Sequence, residues 1–265
     1  MGKKLLIVSL IGNFISIILF TAFIIKKGGV LYVEEKLMPA TYIGDGNLKL
    51  KYINISEGDI RRETLFDLLP IYKDNIIFIG NSITNGCEWA ELFNNNKIKD
   101  RSIPGDNSSG VLKRINKIAK FTPQKIFLMI GINDLSWGVK IDSIIYNYAN
   151  IIKRIKSLSP QTKIYIQSIL PVNDDFEIVS NKDVIELNSR IKKISMENNL
   201  TYIDIFSHLL DSSGKLSREY SNDGMHLLGG GYLRWKNILE PYIKDNDTPE
   251  GLAFPVVGGD VKAKK

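Results

Sequence analysis

Short apolar runs alternate with longer amphipathic stretches through the middle of the chain. Residues 76–79, 126–130, 164–169 and 200–205 are rich in β-branched side chains and bounded by turn residues, with a shorter run at 98–102. A continuous apolar run, rather than strict alternation, is what a strand buried on both faces requires. Between the runs, residues 89–93, 111–119, 141–158, 183–198 and 231–242 place apolar side chains at helical spacing. This alternation predicts an α/β fold, a parallel sheet covered by helices on both faces. In such sheets the chemistry gathers at the carboxyl ends of the strands, where loops from several strands meet.

The flanks differ. Residues 5–25 carry no charge and are interrupted only by Ser9, Asn13, Ser16 and Thr21. A helix of about 20 residues spans the ~30 Å hydrocarbon core of a bilayer. The run exceeds the usual ~7–15 apolar residues of a cleaved signal peptide, and no small-residue cleavage site follows it. An uncleaved transmembrane helix over residues 1–27 is therefore expected. Lys3 and Lys4 precede the run, and Lys26 and Lys27 follow it together with Glu34 and Glu35. The slight basic bias puts the N-terminus inside, giving a single-pass protein of the cell membrane with its folded domain outside. Residues 28–60, broken by Gly28, Gly29, Pro39, Gly44 and Gly46, read as a stalk; 61–244 form the domain and 245–265 a flexible tail.

Composition narrows the functional classes. Of 265 residues, 44% are hydrophobic and 24% charged, so wholesale disorder is excluded. The net charge of +6 suggests nucleic acid until it is located. Four lysines fall in the first 27 residues, leaving 31 basic against 29 acidic residues, no footprint for a polyanion. A single cysteine, Cys87, with His208 and His226 excludes a disulfide framework and a cysteine/histidine zinc cluster. No metal or organic cofactor is expected.

Four strand ends carry candidate chemistry. After the run 76–79 comes Gly80-Asn81-Ser82-Ile83-Thr84-Asn85-Gly86. Ser82 at a strand-to-helix turn is a candidate nucleophile, but a helix N-cap or a phosphate cradle would use the same residues. In Ile103-Pro104-Gly105-Asp106-Asn107-Ser108, Gly105 could bring an unshielded backbone N–H to a substrate, or simply turn the chain. Gly131-Ile132-Asn133-Asp134 offers the Asn133 amide to a developing negative charge, against a plain Asx-turn; Asp134 is expected to be a structural acceptor. Asp223-Gly224-Met225-His226 sets a carboxylate to orient an imidazole, whose ordinary pKa of about 6.5 suits proton transfer near neutrality. His208 has no adjacent acid and is expected to be structural.

Together and in this order, the four segments resemble the four blocks of the SGNH (GDSL-type) hydrolases, over about residues 60–244. Trp89-Ala90-Glu91-Leu92, Ile169-Leu170-Pro171-Val172-Asn173 and Asn222-Asp223-Gly224 are similar to the acetylhydrolase/lysophospholipase-like branch. Asn81 departs from the name-giving motif, which has Asp there, and leaves the serine in place. The resemblance implies a three-layer α/β/α sandwich with a flavodoxin-like parallel sheet of about five strands. It also implies a Ser82-His226-Asp223 triad and an oxyanion hole from the Ser82 and Gly105 N–H groups and the Asn133 amide. The implied activity is removal of short acyl groups, most simply acetyl, from a carbohydrate or other cell-envelope ester. Acyl transfer by the same triad and a non-catalytic phosphate-binding module are the competing readings. The loop 172–183 is expected to overhang the site.

Overall fold

A computed structural model of the protein describes residues 57–244, and the side chains from Ile60 onward. The expected transmembrane helix, most of the stalk and the tail lie outside the described residues. Among the described residues, no helix is long and apolar enough to cross a membrane.

Five strands form one sheet: β1 (Ile76–Ile79), β2 (Ile98–Asp100), β3 (Lys125–Leu128), β4 (Lys163–Gln167) and β5 (Thr201–Ile203). Their order is β2-β1-β3-β4-β5 and every pairing is parallel. This is the flavodoxin-like order, with a topological switch between β1 and β3. The helices are α1 (Glu57–Leu68), α2 (Ser82–Asn85), α3 (Trp89–Leu92), α4 (Ser108–Ala119), α5 (Ile132–Ser136), α6 (Ile141–Leu158), α7 (Asn181–Glu197) and α8 (Gly229–Ile243).

The two faces of the sheet are built from different chemistry. Phe78, Phe127 and Tyr165 stand in register on β1, β3 and β4, and their rings stack at 5.1 and 4.6 Å. Trp89 of α3 stacks on Phe78 at 4.8 Å, and Trp235 and Tyr242 of α8 close the layer edge-on. The alternate positions, Ile77 and Ile79, Ile126 and Leu128, Ile164 and Ile166, project to the other face because side chains alternate along a strand. Right-handed crossovers place α4, α6 and α7 over that aliphatic face. Lys125 is 1% exposed at the start of β3, and its ammonium donates to the Tyr242 and Ile243 carbonyls at the C-terminus of α8. Cations are favoured there because the unpaired helix carbonyls carry partial negative charge.

The apolar runs outlast the strands. Met129 and Ile130 stay buried after β3 ends, yet the Ile130 peptide is taken by the Tyr148 hydroxyl, which accepts from its N–H and donates to its carbonyl. After β4, Ile169 is bonded through both backbone groups to the Asn188 side-chain amide. Side chains thus finish the ladders and free the chain to turn toward the rim. The pattern also missed two helices, α1 and the five-residue α5. Residues 57–68 lie where a stalk was expected to end, and polar contacts tie the helix down. Lys117 bridges Glu63 and Asp67 at 2.8 and 2.9 Å, and the Phe66 ring is faced by the Arg62 and Arg101 guanidiniums. A helix stapled by charge shows little apolar periodicity.

Candidate active site

Ser82 opens α2 directly beyond β1. Asn81 caps this helix, its side-chain oxygen accepting from the Ile83 N–H at 3.0 Å. The departure from the family motif is therefore neutral for the turn, since an amide oxygen caps as a carboxylate would. Tyr232 donates to the Ile83 carbonyl at 2.7 Å and Trp89 Nε1 to the Thr84 carbonyl at 2.7 Å. A Cβ at Gly80 would sit 2.2 Å from Thr84 Oγ1, and one at Gly86 2.4 Å from the Tyr232 hydroxyl. Close packing accounts for these two glycines, without a phosphate to cradle.

The Ser82 hydroxyl reaches His226 Nε2 at 2.9 Å, although 144 positions separate them. His226 Nδ1 lies 2.7 Å from Asp223 Oδ2. An ionised carboxylate only accepts, so the ring proton sits on Nδ1 and Nε2 is free to accept from the serine. The turn that makes this pair is local. Asp223 Oδ1 accepts from the Met225 and His226 N–H groups at 2.9 and 2.8 Å, and Ser221 Oγ accepts from Gly224 N at 3.0 Å. Gly224 has φ +82°, and a Cβ there would meet Asn173 Oδ1 at 2.6 Å, so only glycine fits. Burial opposes ionisation of Asp223 with the largest single effect. The bonds from Met225 and His226 together outweigh it and hold the carboxyl at about 2.

Gly105 and Asn133 come to the same rim from β2 and β3. Gly105 has φ +81° and nothing within 4 Å of the space a Cβ would take, leaving its backbone open to solvent. Asn133 lies in α5, not in an Asx-turn before α6, and its Nδ2 donates to the Asp106 carbonyl at 2.8 Å. Asp134 is 1% exposed and accepts from the Ser108 N–H at 2.9 Å and hydroxyl at 2.6 Å. Burial pushes its carboxyl up to about 6 against those bonds. It is the structural acceptor expected.

His208 sits half-buried on the 3₁₀ turn Phe206–Leu209, and the Ser82–His226–Asp223 chain does not include it. The loop after β4 packs on the histidine turn, with the Asn173 N–H donating to the Gly224 carbonyl at 3.1 Å. Its two aspartates at 174 and 175 are engaged, Asp174 with Lys215 and Asp175 with Arg218, each at 2.7 Å. Cys87 is half-buried, and burial first, then Glu88 and Asp100, push its thiol up to about 12, so it carries no competing nucleophile. Among the described residues, no group of three or more His, Cys, Asp or Glu side chains could hold a metal ion.

Sequence reasoning did not find Tyr232, which ties α8 to the serine turn, nor Ser108 and Asn147. The Asn147 amide donates to Ser108 Oγ at 2.8 Å. These residues join segments 26 to 149 positions apart, and no local spacing announces them.

Residues 78–234, more than half of the chain, match the GDSL-like Lipase/Acylhydrolase family. The chain is 24% identical over 187 residues to the platelet-activating factor acetylhydrolase IB subunit alpha2 of Gallus gallus, covering 67% of this chain and 80% of that protein. It is 30% identical over 142 residues to a multidomain esterase of Ruminococcus flavefaciens, covering 50% of this chain and 18% of that larger protein. A solved structure from Streptococcus pneumonia, provisionally described as a platelet activating factor, superposes with a TM-score of 0.65 at 28% identity, covering 70% of this chain and 92% of that one. The chain belongs to the GDSL-like lipase/acylhydrolase (SGNH hydrolase) family and is a carboxylic ester hydrolase.

Proposed function

We propose that the protein removes short acyl groups, acetyl first among them, from a carbohydrate or another cell-envelope ester by a Ser82-His226-Asp223 mechanism. The observation that carries this reading is the continuous hydrogen-bonded chain from Ser82 Oγ through His226 to Asp223, at 2.9 and 2.7 Å. In the first half-reaction Ser82 Oγ attacks the ester carbonyl carbon while Nε2 of His226 takes the hydroxyl proton. Asp223 holds Nδ1–H and stabilises the imidazolium that forms. The new oxyanion is met by the Ser82 and Gly105 N–H groups and the Asn133 amide. Collapse breaks the bond to the alcohol, which leaves with the proton from His226. Water then attacks the acyl-serine with His226 as base, releasing the carboxylic acid and restoring Ser82.

The acyl preference is supported by the name of the avian relative, an acetylhydrolase, and the sugar ester by the expected outward placement. The uncharged run at residues 5–25 supports a membrane anchor that holds the domain outside the cell. The test is hydrolysis of a short-chain nitrophenyl ester and an acetylated glycan, with and without a glycan acceptor. Wild-type protein is expected to release acetate in both cases. Ser82→Ala is expected to lose about 10⁴–10⁶ in kcat while melting within a few degrees of wild type. Activity retained in Ser82→Ala removes this serine from the mechanism, and acetate appearing only on the acceptor makes the protein a transferase.

A further inference from the structure

The assignment of Asn133 to the oxyanion hole leaves open what aims its amide. A carboxamide nitrogen carries two hydrogens. One is bound to the Asp106 carbonyl at 2.8 Å, which leaves the other for a substrate oxygen. The Asp106 carbonyl therefore sets the direction of Asn133, and the same residue follows Gly105, whose N–H is the neighbouring donor.

Asp106 is in turn clamped. Its Oδ2 accepts from Arg114 Nε at 2.8 Å, with Nη2 in ion-pair contact with the same oxygen, and its Oδ1 accepts from the Asn107 N–H at 3.0 Å. The guanidinium is held a second time, with Nη1 donating to the Arg101 carbonyl at 2.7 Å. Both side chains are buried, at 6% and 8% exposure. The folded-back carboxylate depends on Gly110, because a Cβ there would lie 1.8 Å from Asp106 Oδ1. Replacing such a buried pair by apolar groups is often neutral or stabilising, so stability alone does not account for a guanidinium here. What a planar guanidinium bonded through Nε to the carboxylate and through Nη1 to the Arg101 carbonyl does supply is a fixed direction.

We propose that Arg114 is a positioning residue for the hydrolysis. Through Asp106 it fixes the Gly105 N–H and the Asn133 amide at the spacing a tetrahedral oxyanion needs. The proposal rests on the serine mechanism above and adds a residue that touches neither substrate nor nucleophile.

The test is steady-state kinetics on a short-chain nitrophenyl ester with Arg114→Met, Arg114→Lys and Gly110→Ala, each alone and combined with Asn133→Ala. Gly110→Ala displaces the Asp106 carboxylate while keeping both charges, so it decides the question together with Arg114→Lys should Arg114→Met fail to fold. Displacing donors by a fraction of an ångström to an ångström is expected to lower kcat about 10- to 100-fold with KM nearly unchanged. Arg114→Lys falls between, since a point charge cannot reproduce the planar fork that joins the Asp106 carboxylate to the Arg101 carbonyl. In the Asn133→Ala background the same changes cost only about 3- to 10-fold, because one of the two donors they aim is already gone. An unchanged kcat, a loss carried by KM, or full losses added on top of Asn133→Ala overturns the proposal. Ser82→Ala measured alongside separates the two ideas. Activity surviving that change refutes the serine mechanism, whereas a dead Ser82→Ala with independent, additive Arg114 losses refutes only the positioning role.

Discussion

Two aspartates at one rim of the sheet do opposite things. Asp223 is about half exposed, built into a turn of six residues, and three hydrogen bonds from its own neighbours hold it ionised at about 2. Asp134 is buried, bonded to Ser108 from 26 positions away, and burial raises its carboxyl to about 6. In the mechanism proposed above the first serves proton transfer, which needs a permanent negative charge beside an accessible imidazole. The second braces α5 against the start of α4, and its charge is a cost rather than a tool. One arm of the site is assembled locally and left open to solvent. The other is assembled from distant segments and sealed.

The largest effect expected from this contrast comes from Asp223→Asn. It keeps the shape of the turn but removes the acceptor that fixes the Nδ1–H tautomer. Loss of about 10⁴ in kcat is expected, with the melting temperature little changed because the group is solvent-screened. A loss under tenfold would show that the exposed pair does not orient the ring. Asn133→Ala is expected to cost about 10²–10³ in kcat with little change in KM, as removal of one oxyanion donor does elsewhere. A change confined to KM would make Asn133 a ground-state contact instead.

Legibility in the sequence follows the same divide. Asp223 and His226, with Gly224 between them, stand out as a candidate pair by their spacing, because the bonds that shape the turn run between near neighbours, while their place in a triad comes from the family resemblance. The run before Ser82 is as plain, since a buried parallel strand and its exit turn leave a local trace, whereas Ser82 itself reads equally as an N-cap or a phosphate cradle until its partners are counted. The five strands were read for a similar reason, though β3 and β4 ran two residues too long where Tyr148 and Asn188 take over the backbone bonds. Arg114, Ser108, Asn147 and Tyr232 could not be read, because a guanidinium, hydroxyl or amide on a helix has the same local pattern whether it braces a site or faces water. Helix α1 was missed because ion pairs and ring contacts hold it, and these need partners that the chain brings from elsewhere.

The smallest expected effect concerns stability rather than rate. Asp134 gives up its proton near pH 6 in the folded protein and near 3.8 in the unfolded chain. Between those values the native state binds more protons, so stability falls as pH rises through this window, by about 3 kcal/mol at most. Asp223 runs the other way, its contribution present above 3.8 and lost only as pH falls toward 2. Melting curves from pH 4 to 7 are expected to show a decline in wild type that Asp134→Asn flattens. A decline of equal steepness in the variant would mean that Asp134 is not the group responsible.

The nucleophile itself can be seen directly. Treating the folded protein with a fluorophosphonate and mapping the adduct by peptide mass spectrometry is expected to find a single modified residue, Ser82, and no adduct on His226→Ala. An adduct on another serine in active protein, or full activity after Ser82 has been capped, would contradict the account.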